Sequence, residues 1–277
     1  MKMGLGFVPP VTLLMEQYVF SVIALSPVFI TLRRKIPRDG NTLGKLLFYS
    51  LLYLVQMILM RVGLVGESSG MGAVLLYSQP LFVVFLAIPF LKEKVTAPKV
   101  VGAVIGFAGV CILFLGRMNS LMLNSAFIMI LSAFIWAIET IYYKKFLCKV
   151  DPFVAIFIQS LVGTLSLVPV CIMTNSFIFP MNTAYILIVL YSAIGSFAIG
   201  WSIWLFLLEH EDATVLSGSS LIVPVLALFI GWQIMGESIG IESVFGSLLT
   251  LGGVCLVNLV NRQRNSRNGS VSAPLHC

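Results

Sequence analysis

PLFVVFLAIPFLKEKVTAPKVVGAVIGFAGVCILFL, residues 80–115, and PVLALFIGWQIMGESIGIESVFGSLLTLGGVCLVNL, residues 224–259, carry the same pattern twice. Shifted by 144 positions, Pro80 falls on Pro224, Phe85 on Phe229, Glu93 on Glu237, Val100 on Val244 and Gly102 on Gly246. Gly109-Val110-Cys111 falls on Gly253-Val254-Cys255, and Leu115 on Leu259. That makes nine identities in 36 ungapped positions. Two apolar helices share Leu and Val by chance, but a proline, a glutamate and two glycines in step point to duplication.

Around these stretches the chain is apolar almost throughout. Charged residues are 10% of the 277 positions and apolar residues 59%, against about a quarter charged in a soluble domain. Mean hydropathy is +1.03. Nine apolar runs are read as membrane-crossing helices, at 11–32, 45–64, 69–91, 98–116, 122–143, 152–173, 183–208, 213–235 and 241–261. Each is long enough for the ~30 Å hydrocarbon core. The expected fold is therefore an all-α integral membrane bundle, with residues 262–277 a polar, disordered tail.

Nine crossings divide the connecting loops between two sides. Of the 17 Lys and Arg, fourteen fall on one side; only Lys2, Arg61 and Arg117 fall on the other. By the positive-inside rule the crowded side, with the C-terminus, is cytoplasmic. The net charge of +6 thus reports membrane orientation and not a nucleic-acid face. Glu93 then lies at the cytoplasmic face and Glu237 at the outer one, so the repeats are inverted. Inverted repeats typify secondary transporters, which bind their cargo near the membrane midplane.

Polar residues inside the runs are the candidates for function. Ser132, Trp136, Glu139 and Tyr143 recur at helical spacing and form one stripe. Trp136 and Glu139 are read as part of a substrate wall, with Glu139 a proton-coupling group; the competing reading is a carboxylate snorkelling to the interface near Lys144. A matching stripe is Tyr49, Tyr53, Gln56 and Met60, in which Gln56 is the deep member and Tyr49 fits an aromatic belt. Glu16, Gln79, Gln159 and Trp201 are further polar or amphipathic residues. Arg61, near the end of its run, either snorkels or attracts an anion. Pro80 and Pro224 are read as mid-helix kinks that gate or bend, with Ser217, Ser219 and Ser220 placed to satisfy the carbonyl freed at the second. Glu93 and Glu237 are read as turn carboxylates favouring the positive ends of the helices that follow. Gly102 and Gly106 form a GxxxG, a close-packing signal.

The motif of central proline, Phe-Leu-x-Glu or Gly-Glu turn, and glycine-spaced helix ending in Gly-Val resembles the EamA-type permeases of the drug/metabolite transporter superfamily. Here it reads Gln79-Pro80, Phe90-Leu91-Lys92-Glu93, Gly102 and Gly109-Val110, then Val223-Pro224, Gly236-Glu237, Gly246 and Gly253-Val254. The resemblance covers residues 11–261. It implies a five-plus-five inverted repeat, of which this chain shows four helices plus five: residues 1–118 as an incomplete first repeat and 119–261 as the second. On that reading the first of ten helices is missing. The implied activity is secondary transport, more specifically export, of an amino acid, related metabolite or drug across a plasma or bacterial inner membrane. The alternative is a truncated or partner-dependent subunit.

Enzyme classes find little support. HExxH, GxSxG and the phosphate-cradling GxxxxGK[ST] are all missing from the sequence. Both histidines, His210 and His276, lie in a polar loop or the tail. No cysteine pair has metal-ligand spacing. No catalytic residue, metal or cofactor is expected. The expected partners are a small-molecule substrate and the lipid bilayer, not nucleic acid, with a homo- or hetero-dimer left open.

Overall fold

A computed structural model describes residues 1–31, 36–91, 97–115, 120–220, 222–236 and 240–267. Among these the regular structure is helical throughout. After a short 3-10 turn at Gly4–Gly6 come α1 (Pro10–Thr31), α2 (Gly40–Val65), α3 (Ser69–Leu76), α4 (Gln79–Leu91), α5 (Ala97–Leu115) and α6 (Ser120–Phe146). The second part holds α7 (Pro152–Met173), α8 (Thr183–Leu190), a π-helix (Tyr191–Trp201), α9 (Ser202–His210), α10 (Ala213–Ser219), α11 (Ile222–Met235) and α12 (Ile241–Arg267).

Among the described residues six segments are long and apolar enough to cross a membrane: Pro10–Thr31, Gly40–Val65, Ser69–Leu91, Met122–Phe146, Pro152–Met173 and Thr183–His210. Three shorter apolar helices, Val100–Ile112, Val223–Ile234 and Val244–Leu256, fall inside the other three runs. The nine runs of the sequence thus correspond to nine helical stretches among the described residues. Two differences matter. The helix of α12 carries on to Arg267, past the apolar run into the segment read as tail, because Arg and Gln propagate a helix well. The chain between 69 and 91, and again between 213 and 235, is broken into two helices.

Both breaks correct the reading of the prolines as mid-helix. Pro80 is the second residue of α4 and Pro224 the third of α11. In a first turn the amide that proline lacks would have no helical partner anyway, so the residue fits there without loss. Each break is bridged by a tight turn: Leu81 N–H donates to Ser78 O at 2.9 Å, and Val223 N–H to Ser220 O at 3.0 Å. Glu93 and Glu237 lie outside the described residues.

The chain forms two compact units, neither of which is one sequence repeat. Unit 1 is Met1–Arg61 with Phe146–Glu209. In it α1 and its repeat mate α7 run antiparallel. Thr12, early in α1, donates to Ser176 O just beyond α7 at 2.8 Å, while Phe29, late in α1, stacks on Phe157 near the start of α7 at 4.5 Å. Side-chain caps set the helix starts: Asp151 accepts from Phe153 N ahead of Pro152 in α7, and Asn182 accepts from Ala184 N in α8.

Unit 2 is Val62–Lys145 with the chain from His210 onward. The two broken helices lie head to tail, α3 against α11 and α4 against α10. Mates α5 and α12 also cross antiparallel, since Gly109 meets Gly246 and Thr250 whereas Gly253 meets Gly102 and Gly106. Helix α5 thus packs on its own copy α12, whereas in the broken pair each half packs on the copy of the other half, so that the whole stretch 69–91 lies antiparallel to its copy 213–235. Lipid supplies little hydrophobic drive between helices, so close backbone approach at small residues holds such crossings.

Candidate functional site

In unit 1 the stripe on α2 turns inward. Tyr49, Tyr53 and Gln56 are all buried, so the aromatic-belt reading of Tyr49 does not hold. The Tyr53 ring packs 5.1 Å from Trp201 and 5.6 Å from Phe197, both on the π-helix. Gln159 on α7 is 1% exposed, and neither atom of its amide has a hydrogen-bond partner among the described residues. Trp201 also stacks on Trp204 at 6.1 Å.

The same unit holds a polar cluster for which the sequence offered only isolated hints. Arg61 on α2 is 0% exposed. Its Nη2 donates to Gln17 Oε1 on α1, and the same oxygen accepts from Ser192 Oγ at 2.8 Å. Arg61 Nη1 points at the Met1 sulfur, 3.1 Å away. Next to Gln17, Glu16 takes a hydrogen bond from Tyr185 OH through Oε2 and leaves Oε1 unpaired among the described residues. Ser21, one turn after Gln17, donates to Ala193 O at 3.1 Å. Snorkelling is thereby excluded for Arg61. Glu16, Gln17 and Arg61 stand out in sequence as polar breaks in apolar runs, but Tyr185 and Ser192 have no such signal.

Unit 2 has a second set. Gln79, at the first residue of α4, donates through Nε2 to Thr140 Oγ1 on α6 at 3.1 Å, while its Oε1 has no partner among the described residues. Thr140 in turn donates to Trp136 O at 2.9 Å, and the Trp136 ring meets Tyr77 edge-on at 5.4 Å. Glu139 is 1% exposed with both oxygens unpaired among the described residues. Lys144 instead reaches Glu211 O at 2.9 Å. The snorkelling reading of Glu139 therefore fails: the carboxylate faces the interior of its unit. Ser217 is buried with an unpaired Oγ, and its carbonyl accepts from Ser220 Oγ at 2.6 Å.

So the structure joins Tyr53 with Trp201, and Gln79 with Thr140, Trp136 and Tyr77, and it buries Gln56, Gln159, Glu139 and Ser217. A buried amide or carboxylate without a partner is costly in an apolar bundle. Among the described residues no group of three or more His, Cys, Asp or Glu side chains is placed to hold a metal ion.

Residues 1–115 and 123–259 each match the EamA-like transporter family. The chain belongs to that family. Relatives agree with it. An uncharacterized transporter of Bacillus subtilis, YoaV, is 26% identical over 92% of this EamA chain and 89% of its own length. A probable amino-acid metabolite efflux pump of Salmonella typhimurium is 26% identical over 91% of this chain and 87% of its own. One solved crystal structure, 18% identical, superposes with a TM-score of 0.72 over 94% of this chain and 91% of that one, which bears on the fold alone. The EamA chain is a multi-pass membrane transporter by family, and the family and its relatives' names describe transport, not catalysis.

Proposed function

We propose that this transporter is a secondary exporter of a small metabolite, working by alternating access in a plasma or bacterial inner membrane with its C-terminus in the cytoplasm. The observation that carries the reading is the set of buried, unpartnered polar groups in the apolar units, above all Gln159 and Glu139. Groups of this kind inside a membrane protein face cavities and cargo. The broken helices ahead of Pro80 and Pro224 support it, because secondary transporters commonly build their cargo sites at interrupted helices. The name of the Salmonella relative favours an amino-acid metabolite as cargo and efflux as direction. Gln56, Tyr53, Gln79, Trp136, Gln159, Trp201, Ser217 and Ser220 are the proposed contacts, and Glu139 the proton-coupling group.

The test is an untargeted comparison of metabolites inside and outside cells that overexpress the chain, against empty-vector cells, with membrane levels measured alongside. A metabolite that rises outside and falls inside names the cargo and the direction. Identical profiles at good membrane abundance contradict the reading.

A further inference from the structure

The polar cluster of unit 1 contains a buried cation. Arg61 is 0% exposed. Among the described residues no carboxylate lies within ion-pair distance of it; its two hydrogen bonds go to an amide oxygen and a thioether sulfur. Both acceptors are neutral, and a thioether is a weak one. Arg61 Nε–H has no partner at all among the described residues. Burying an unpaired guanidinium is expensive, and proteins answer that cost with a paired anion.

We infer that Arg61, together with Gln17 and Ser192, forms a binding site for the carboxylate of a small organic acid. The guanidinium fork matches a carboxylate with two parallel charge-assisted hydrogen bonds. Arg61 Nη2 and Ser192 Oγ both donate to the one oxygen Gln17 Oε1, so the two donors converge on a single acceptor position. Ser192 is the second residue of the π-helix Tyr191–Trp201, a geometry that recurs at functional sites. What covers the guanidinium is the Met1 side chain, whose sulfur lies 3.1 Å from Arg61 Nη1 and 3.6 Å from Ser192 Oγ. An unbranched thioether moves easily, and a carboxylate outcompetes it as an acceptor. The site deepens the transport reading by giving the cargo a carboxylate, but binding itself needs no transport.

The experiment uses the full chain in lipid nanodiscs with a photoactivatable diazirine benzoate, its primary amide as control, and peptide mapping after illumination. The expected result is labelling of peptides that carry Gln17, Arg61 or Ser192, competed by benzoate and absent with the amide. Labelling elsewhere, no labelling, equal labelling by the amide, or stronger competition by inorganic phosphate than by benzoate each overturns the carboxylate site. Arg61→Lys keeps the charge and loses the fork, so labelling falls about tenfold; unchanged labelling in that variant overturns the role of Arg61. Should neither Arg61→Lys nor Arg61→Gln fold, the arms on the parent chain decide. Flux into proteoliposomes is measured on the same preparation. Labelling without flux sinks the transport reading and keeps the site, whereas flux without labelling does the reverse.

Discussion

Gly109 on α5 and Gly253 on α12, 144 positions apart, occupy equivalent places in one helix crossing. A Cβ on Gly109 would stand 2.4 Å from Thr250 N, and one on Gly253 would stand 2.4 Å from both Gly102 O and Gly106 N. The blocking atoms are backbone, so no rotamer change relieves the clash. Gly253→Leu is expected to cost more than the 1–3 kcal/mol typical of overpacking, roughly, and to abolish the monodisperse peak in fluorescence-detected size exclusion. Gly252→Ala is the control, with nothing within 4 Å of its Cβ. A normal peak and melting temperature for Gly253→Leu would contradict the crossing.

Trp136→Ala and Gln56→Ala are expected to lower transport more than they lower membrane abundance. Trp136 packs on Tyr77, and Gln56 lies one turn along α2 from Tyr53, on the buried face. Full transport by both variants at equal abundance removes these stripes from the site.

Glu139→Gln separates coupling from folding. The side chain keeps its shape and loses its proton exchange. Transport driven by an imposed pH gradient is expected to fall about a hundredfold, the low end of what one positioned proton-transfer group contributes, while downhill exchange and abundance persist. Undiminished gradient-driven transport assigns coupling elsewhere.

Asp39, ahead of α2, makes stability depend on pH. Hydrogen bonds from Thr42 Oγ1 (2.8 Å), Thr42 N (3.0 Å) and Asn41 N (3.3 Å) hold its carboxyl below the usual carboxylate range. A depressed value in the folded state means stability that is present above the unfolded value and lost as pH falls through the folded one. Asp39→Asn caps without titrating. From about pH 5 to about pH 3 the melting temperature of the parent should therefore fall further than that of the variant. Equal falls would show that the cap contributes nothing.

The fold was legible because its decisive signals are local or periodic. Apolar run length marks the helices, and the shift that pairs Pro80 with Pro224 and Gly109 with Gly253 marks the repeat. Antiparallel packing of α5 on α12 follows from that duplication plus the charge asymmetry. The breaks before the two prolines are not legible in sequence, since a proline in an apolar run reads alike whether it bends a helix or starts one. Burial of Glu139 and Arg61 was hidden for a related reason: near a run's end, sequence does not say whether a charge turns inward or snorkels. The bonds of Glu16 to Tyr185 and Gln17 to Ser192 join residues more than 160 positions apart, and no spacing within either helix announces them. The π-helix has no sequence signature that would have placed it.

Sidedness is a separate expectation. A reporter that fluoresces only in the cytoplasm, fused at the C-terminus, should be bright, and one fused between α1 and α2 should be dark only if the count of crossings is wrong. Fourteen basic residues against three, counted over the loops and helix ends of alternate sides, carry that orientation.

Movement of a small metabolite by this chain is measured on purified protein in proteoliposomes. Vesicles are loaded with the labelled metabolite named by the cell comparison, and its release is timed against protein-free vesicles. Faster, saturable release that Trp136→Ala slows is the predicted result. Release at the protein-free rate, from vesicles shown to contain folded protein, would mean that the chain does not carry that metabolite.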